Sequence, residues 1–439
     1  MDLSEEQIIA LAPDDAAKKA GIALAAPAKW VAKGANEAAI WGLCQGSGSK
    51  PYQTQIDLGN LATKCSCPSR KFPCKHGLGL LILHARQAST FTDNEQPAWV
   101  SDWLQKRSER EEKKTEKASK PVDENAQNKR QEARHQKVTD GVDELLRWIK
   151  DLLQTGIVQL PEKGTAFIDN MTRRMIDAQA PGLAAMLREL SDINYYQEAW
   201  PSQCLEQLSR IYLAAKGYQN IDTLSPDLQQ DIRTMIGFPQ SQEALKAMPG
   251  VQDHWFVLGK EVSQEEQLTV ERNWLYGLHT GQHALILQFY VRSQQPTFTA
   301  LPGMIIDAEL VFYPSALPLR AIVKHQLGNK DRSTVHGLAN WQEVVQQQTQ
   351  FNSRQPFGTQ YPFIVDHLHA VQHAGEWFLQ DAAGQRMQLA PPFTGLWKWL
   401  AISGGAPLQT AVVGKGNSYR LLGAWNRNEY KLLYANDLE

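Results

Sequence analysis

The residues best suited to chemistry lie in one short stretch, Lys64 to His76, which holds three of the five cysteines in the chain. Cys65 and Cys67 form one pair of candidate ligands, and after six residues Cys74 and His76 form a second pair. Three thiolates and one imidazole are a standard closed ligand set for tetrahedral zinc. The loop between the pairs lets the chain turn back so that they converge. The spacing therefore predicts one structural Zn²⁺ ion bound by Cys65, Cys67, Cys74 and His76.

Two other uses of these cysteines compete with zinc. Disulfides are disfavoured in a reducing compartment, and redox pairs usually have Cys-x-x-Cys rather than Cys-x-Cys spacing. The number and spacing of the ligands favour zinc over both. The remaining cysteines, Cys44 and Cys204, are expected to be buried free thiols.

Four cations surround the predicted metal site, and no Asp or Glu lies between Gly59 and Phe91. These cations have two interpretations: they contact phosphates of a nucleic acid, or they offset the negative charge of three thiolates around one zinc ion. The aromatic ring between them is a candidate for stacking on a base or for anchoring a protein. The candidate contact residues are Lys64, Arg70, Lys71, Phe72 and Lys75.

The Cys-x-Cys pair, the short loop and the Cys-x-His pair, followed by an apolar run, resemble a SWIM-type zinc finger. The segments from Trp41 to Tyr52 and from Cys67 to His76 are similar to those of bacterial SWIM zinc finger proteins in particular. The resemblance implies a short β-hairpin followed by a helix over about residues 41–84, with zinc joining them, and a role in binding DNA or other proteins. Such proteins are often encoded beside AAA-type ATPases and von Willebrand A-domain proteins, so the resemblance also implies an adaptor role with partners of those classes.

The composition is that of an ordinary globular protein. The 439 residues are 42% hydrophobic and 21% charged, with a formal net charge of -2, and this length allows two or three domains. A charge so near zero argues against a protein that binds nucleic acid over its whole surface. The acidic start lacks the features of a signal peptide, and no apolar run is long enough to span a bilayer. A cytoplasmic protein is therefore predicted.

The pattern along the chain predicts a multidomain α+β protein. Its expected parts are an N-terminal domain with the zinc finger at residues 1–104, a charged linker at 105–138, an all-helical bundle at 139–248 and a mostly antiparallel β region at 249–439. In the first part, Ser4 and Gln7 match a capping box at the start of a helix. A strand at 39–44 and a returning strand at 52–58 form a hairpin that leads to the cysteines, and an apolar run from Gly77 to His84 predicts the helix that follows.

In the bundle, Asp140 is expected to cap an amphipathic helix that begins a series separated by prolines. Further helices are expected at 166–178, 182–190, 195–216 and 228–235. Beyond Pro249 the pattern changes to strands joined by hairpin turns, with helices near 337–348 and 362–373.

The chain has no recognisable catalytic motif. It contains no Gly-x-Ser-x-Gly elbow and no His-Glu-x-x-His helix, and the glycine-rich turn at 46–50 lacks the spacing of a phosphate loop. His279 and His283 are four residues apart, with no carboxylate close by in the sequence. His367, His369 and His373 have two interpretations. They form the polar face of an ordinary helix, or they bind a second metal ion.

The sequence therefore favours a non-enzymatic, zinc-binding adaptor that recognises a macromolecular partner. The alternative is a DNA-binding or other nucleic-acid-binding protein that uses the basic surface around the finger.

Overall fold

The first helix, α1 (Glu5–Ile9), begins at the capping box that the sequence predicts. In the computed structural model of the chain, the Gln7 N–H donates to Ser4 Oγ at 3.2 Å, and the Ser4 N–H donates to Gln7 Oε1 at 2.9 Å. The Gln7 side chain also donates to the carbonyl of Pro302 at 3.0 Å. One residue thus closes the start of the helix and ties it to a distant part of the chain.

The structure describes residues 4–46, 50–117, 124–265, 268–291, 294, 296–330, 335–357, 360–391, 393–427 and 429–433. The N-terminal part continues with α2 (Asp15–Leu24), β1 (Trp30–Ala35), β2 (Ala39–Cys44), β3 (Tyr52–Asp57), β4 (Thr63–Cys65), α3 (Lys75–Arg86) and α4 (Ala98–Lys117). The helical part comprises α5 (Glu124–Thr155), α6 (Leu160–Lys163), α7 (Thr165–Asp177), α8 (Pro181–Ser191), α9 (Trp200–Gln219), α10 (Pro226–Ile236) and α11 (Gln242–Lys246). None of the helices within these ranges is both long enough and apolar enough to cross a membrane.

The last part consists mainly of strands. Its elements are β5 (Val251–Glu265), β6 (Leu268–Gly277), β7 (His283–Tyr290), β8 (Ile305–Phe312), β9 (Arg320–Lys330), α12 (Trp341–Arg354), β10 (Tyr361–His373), β11 (Glu376–Gln380), β12 (Arg386–Leu389), α13 (Thr394–Ser403), β13 (Leu408–Lys415), β14 (Ser418–Asn426) and β15 (Glu429–Leu432). The predicted α+β fold class is confirmed. The N-terminal part contains strands and helices, the central region is helical, and the C-terminal part is mostly antiparallel sheet.

The N-terminal strands form an antiparallel sheet in the order β1-β2-β3-β4, and helix α3 packs beside it. Two glycines in α3 weaken its intrinsic helix propensity, but each stands where the backbone approaches a neighbour closely. A Cβ atom on Gly77 would lie 2.5 Å from Thr63 Cγ2, and one on Gly79 would lie 2.7 Å from Leu24 Cβ. The glycines therefore let α3 pack tightly against β4 and α2.

Five strands of the C-terminal part close into a barrel in the order β5-β6-β7-β9-β8. Trp255, Val257 and Ile306 of the barrel belong to one continuous hydrophobic core with Leu78 and Leu80 of α3. The zinc-finger part and the barrel are therefore packed together, although more than 160 residues separate Leu80 from Trp255 in the sequence. The sequence gives no sign of this contact.

The helical bundle has its own core, centred on α5, α7, α8, α9 and α10. Phe357, from the region after α12, joins that core, and its carbonyl accepts a hydrogen bond from Arg210 Nη2 at 3.2 Å. The buried carboxylate of Asp231 in α10 accepts the N–H of Ala316 at 3.0 Å. These two hydrogen bonds attach the bundle to the β-rich part.

The six strands after α12 form a sheet in the order β12-β11-β10-β13-β14-β15, with a further parallel pairing of β12 and β14. A third core joins this sheet to α12, α13 and one side of the barrel. Across that contact, Arg420 donates to the buried carboxylate of Glu261, with Nη2 to Oε1 at 2.6 Å. Trp274 Nε1 donates to the other oxygen of the same carboxylate at 2.8 Å.

Several predicted elements differ from the structure, among them the helix predicted near 337–348, which is α12 at Trp341–Arg354. Residues 362–373, predicted as a helix, lie in strand β10, whose first five residues are buried because α12 and neighbouring strands cover both faces. Asp140 does not cap a helix, since α5 begins at Glu124; residues 124–137 contain strong helix formers and no glycine or proline. Helix α9 begins at Trp200 instead of residue 195, with Pro201 in its first turn.

The predicted charged linker, 105–138, is helical wherever the structure describes it. Its first part continues α4 to Lys117, and its last part belongs to α5. Residues 118–123, the centre of the predicted linker, lie outside the described residues.

Candidate metal centre

The four predicted ligands converge on one point. Cys65 ends strand β4, Cys67 follows in the adjoining loop, Cys74 directly precedes α3, and His76 lies in its first turn. Their ligand atoms, three Sγ atoms and one ring nitrogen, all lie within 4.8 Å of one another. In the described part of the chain this is the one cluster of three or more His, Cys, Asp or Glu side chains able to hold a metal ion.

The distances suit a tetrahedral zinc ion. His76 Nδ1 lies 3.7 Å from Cys65 Sγ and 4.0 Å from Cys74 Sγ. Zinc–nitrogen bonds of about 2.0 Å and zinc–sulfur bonds of about 2.3 Å place the nitrogen and a sulfur of a tetrahedral site about 3.5 Å apart. Cys74 and His76 are buried, whereas Cys65 and Cys67 are half-buried. The residues therefore fit one zinc ion held entirely by protein atoms.

Neighbouring groups orient two of the ligands. The Thr54 hydroxyl on β3 lies 3.2 Å from Cys65 Sγ, and the Tyr52 ring packs against the His76 imidazole with ring centroids 5.0 Å apart. Thr54 stands opposite Cys65 in the β3–β4 pairing. The cysteine spacing did not indicate either residue as part of the site, although alternation along β3 places Tyr52 and Thr54 on one face.

Hydrogen bonding and burial give the three thiols different pKa values. A hydrogen bond with the Cys74 thiol lowers the pKa of Cys65 to about 4. Burial acts in the opposite direction, and hydrogen bonds with His76 and Thr54 lower the pKa further. The hydrogen bond between Cys65 and Cys74, followed by burial, raises the pKa of Cys74, and burial raises the pKa of Cys67. Each thiol must lose its proton to act as a zinc ligand. Zinc affinity is therefore expected to fall as the pH falls.

The loop between the ligand pairs is exposed. Lys64, Arg70, Lys71, Phe72 and Lys75 all have exposed side chains, and the Phe72 side chain is 38% exposed. Lys71 Nζ lies 2.5 Å from Asp14 Oδ2, while Asp14 Oδ1 caps α2 by accepting the Ala17 N–H. Among the described residues, the other three cations around the metal site form no ion pair: Lys64 in β4, Arg70 in the loop and Lys75 at the start of α3. Lys71 therefore joins the loop to the start of α2, and the carboxylate of Asp14 offsets its charge.

The family comparisons agree with this geometry. Residues 52–85 match the family model of the SWIM zinc finger. The chain carries a SWIM zinc finger. Residues 133–236, which span most of α5 and extend through α10, match the family model of the SWIM-associated four-helix bundle domain. No curated protein and no solved structure matches the chain.

The SWIM finger and its ligand set confirm the predicted cofactor, one structural zinc ion. Four protein ligands fill the coordination shell, so no position is left for a substrate or a reactive water. The chemistry of the site is therefore structural: it joins the end of β4 to the start of α3.

The histidines considered for a second metal do not form such a site. His367, His369 and His373 lie on strand β10, and within the described residues they belong to no cluster of three potential ligands. His369 Nε2 lies 3.4 Å from Gln380 Nε2 on the neighbouring strand. These side chains are part of a sheet surface, since the predicted helix is absent.

His279 does have a carboxylate partner, although none is close by in the sequence. Its Nδ1 lies 2.8 Å from Oδ1 of the buried Asp253, which is 26 residues away in the sequence. The same carboxylate accepts the Thr280 hydroxyl at 2.7 Å and the Thr280 N–H at 2.8 Å. Asp253 thereby holds the turn between β6 and β7 against β5.

Another buried carboxylate lies on strand β6 of the barrel. Glu271 is completely buried, and its Oε2 atom lies 2.8 Å from Lys260 Nζ and 2.8 Å from the Tyr290 hydroxyl. Asn273 and Gln288 donate to its other oxygen at 2.9 and 3.1 Å. Four donors satisfy this charge, so the cluster is explained by folding without a substrate.

Proposed function

We propose that this protein is a non-enzymatic adaptor whose zinc finger holds a recognition loop in shape for a protein partner. The observation that carries the proposal is the closed zinc site beside an exposed loop containing Phe72. Zinc fixes both ends of this loop, which lowers the entropy that the loop loses on binding. Phe72 supplies an aromatic anchor, and the surrounding cations form a polar rim.

The fixed attachment of the finger to the barrel supports a scaffolding role. A finger built into a larger core presents its loop in a set orientation relative to the rest of the chain. The resemblance to SWIM proteins indicates AAA-type ATPases and von Willebrand A-domain proteins as the first partner classes to test. The net charge of -2 favours a protein partner over nucleic acid.

Affinity purification of the intact protein from its own cells, with and without nuclease, tests this proposal. Partners that remain after nuclease treatment and are lost from a Phe72→Ser variant support the adaptor function. Tyr196→Ser is the matched control, because Tyr196 is fully exposed on a different part of the chain. The zinc content of each variant must stay at one ion per chain. Retention of the same partners by Phe72→Ser would reject the proposed loop.

Nucleic-acid binding is the second candidate, since Lys64, Arg70 and Lys75 point to solvent without an ion pair among the described residues. Three phosphate contacts give a slope of about -3 for the logarithm of the duplex-DNA binding constant against the logarithm of the salt concentration. Fluorescence anisotropy with a labelled DNA duplex measures this slope. Arg70→Glu is expected to weaken such binding for every DNA sequence, while an equal affinity in the variant excludes this use of the loop.

A further inference from the structure

A groove runs between helices α5 and α9 on the surface of the bundle. Its volume is about 760 Å³, and its buried floor includes Leu146 and Ile149. Leu153 and Tyr212 also line the groove, although they are 47% and 45% exposed. Large apolar side chains that remain exposed together are typical of interaction surfaces.

The apolar surface is long enough for a helix. Gln219 Nε2 donates to Asp143 Oδ1 at 2.5 Å, which places the end of α9 beside the middle of α5. Two turns before Tyr212 on α9, Leu205 is 44% exposed, and Val158, just beyond α5, is 72% exposed. Along α5 the groove lining runs from Asp143 to Gln154, a rise of about 16 Å. An α-helix of about three turns matches this length.

The rim of the groove is positively charged. Arg147, Lys150 and Lys216 line it together with one carboxylate, that of Asp143. Asp143 already accepts the Gln219 amide, and Lys150 has no ion pair within the described residues. Two copies of this rim repel one another, which disfavours a second copy of the chain as the occupant. The apolar floor disfavours nucleic acid, whose backbone offers only charged groups to an apolar surface.

We propose that the α5–α9 groove binds an amphipathic helix of a partner protein, with Asp and Glu residues on both sides of its apolar face. Apolar side chains at successive helical turns fill the floor, and the flanking carboxylates pair with the rim cations. The inference rests on the adaptor function and assigns it a second contact surface, distinct from the zinc-finger loop.

A synthetic helix provides the direct test. The probe is a fluorescein-labelled amphipathic peptide of about 18 residues, with Leu at every third or fourth position and Glu along both sides of that face. Its affinity for the full-length protein is measured by fluorescence anisotropy. We expect the double variant Arg147→Glu, Lys150→Glu to bind at least about tenfold more weakly. The same variant should prefer a peptide in which Lys replaces every Glu, whereas the wild type should prefer the Glu peptide.

Lys137→Glu is the matched control for charge, because Lys137 is exposed on the same helix but outside the groove. Tyr212→Ala tests the floor: it should weaken both peptides and leave the circular dichroism spectrum unchanged. Equal affinities across the groove variants and the control would overturn the inference, as would binding that is indifferent to the peptide's charge. A wild-type dimer that Tyr212→Ala converts to monomer would overturn it too, in favour of a second copy.

Purification from cells separates this inference from the adaptor function. If partners persist through nuclease treatment but bind the double variant as well as the wild type, the groove inference fails and the adaptor function stands. If no protein copurifies with the wild type, the adaptor function fails. A charge-dependent peptide affinity in that case still supports the groove as a helix-binding site.

Discussion

At the scale of single residues, the zinc site depends on each of its four ligands, because a tetrahedral ion that loses one thiolate gains an exchangeable position. Cys67 is the most informative ligand to replace, since it is half-buried and lies outside the neighbouring hydrophobic core. Cys67→Ser is expected to abolish stoichiometric zinc, as measured by elemental mass spectrometry. Cys204→Ser, at a buried thiol of the bundle core, should keep one zinc per chain. Tight stoichiometric zinc in Cys67→Ser would refute the ligand assignment.

Asp253 gives a residue-scale prediction with a defined pH dependence. Burial alone would raise the pKa of this carboxyl group, but hydrogen bonds from Thr280 and His279 outweigh burial and lower it. Asp253→Ala should lower the free energy of unfolding by about 2–4 kcal/mol at pH 7, because several donors lose a charged acceptor. The exposed Asp222→Ala serves as the control.

The sign of the pH effect follows from the lowered pKa. The stabilisation by Asp253 is fully present above the unfolded-state pKa of about 3.9, and it is lost as the pH falls through the lower pKa of the folded state. Urea denaturation across the acidic range should show the difference between wild type and Asp253→Ala shrinking as the pH falls. A difference that grows on acidification would contradict the assignment.

At the scale of elements, the contact between α2 and α3 depends on Gly79. Replacing a helical glycine by alanine usually stabilises a helix by about 1 kcal/mol. Here the added methyl would lie 2.7 Å from Leu24 Cβ and 3.1 Å from the Gly21 carbonyl oxygen. We expect Gly79→Ala to destabilise the protein by about 1–3 kcal/mol, seen as a lower urea midpoint. A higher midpoint would show that α2 moves away without cost.

Local signals predicted those elements that local sequence determines. The cysteine spacing indicated the metal site, the hairpin led into it, and the prolines marked boundaries of the bundle helices. Strand β10 escaped prediction because Phe363, Ile364 and Leu368 fit a helical face as well as a strand buried on both sides. Both pairings of β10, with β11 and β13, involve residues that follow it in the chain.

Contacts between residues far apart in the chain could not be predicted from local sequence patterns. No sequence pattern pairs Asp253 with His279, because closure of the barrel brings them together. The groove between α5 and α9 likewise arises from packing, since Leu153 and Tyr212 look like core residues in the helical pattern. The metal ligands and most of the secondary structure could therefore be predicted from local sequence, whereas the carboxylate–histidine pair and the groove could not.

At the scale of the whole molecule, the shared core makes the zinc site and the barrel interdependent. Helix α3 contributes a run of buried residues, Leu78 and Leu80 to Leu83, to the core that contains Trp255 and Ile306. Zinc holds the start of this helix, and two glycines make it a weak helix without tertiary support. Loss of zinc should therefore loosen both α3 and the part of the barrel that packs in the same core.

Hydrogen exchange with mass spectrometry tests this coupling in the full-length protein. Removal of zinc with a chelator should lower amide protection in α3 and in strands β5 and β8 of the barrel. The bundle helices α7 to α10 should keep their protection, because their core is separate. The Cys67→Ser variant provides the control: it should exchange like the chelated wild type and show no further change when chelator is added.

The extent of the change in hydrogen exchange shows whether zinc stabilises only its own loop or also the barrel. If zinc stabilises only its own loop, protection falls within residues 52–85 and the barrel strands are unaffected, which would contradict the coupling. If β5 and β8 exchange faster together with α3, the finger and the barrel open as one cooperative unit. In that case zinc loss changes the orientation of the recognition loop relative to the whole scaffold. Partner binding through Phe72 should then be zinc-dependent even though Phe72 itself is not a ligand.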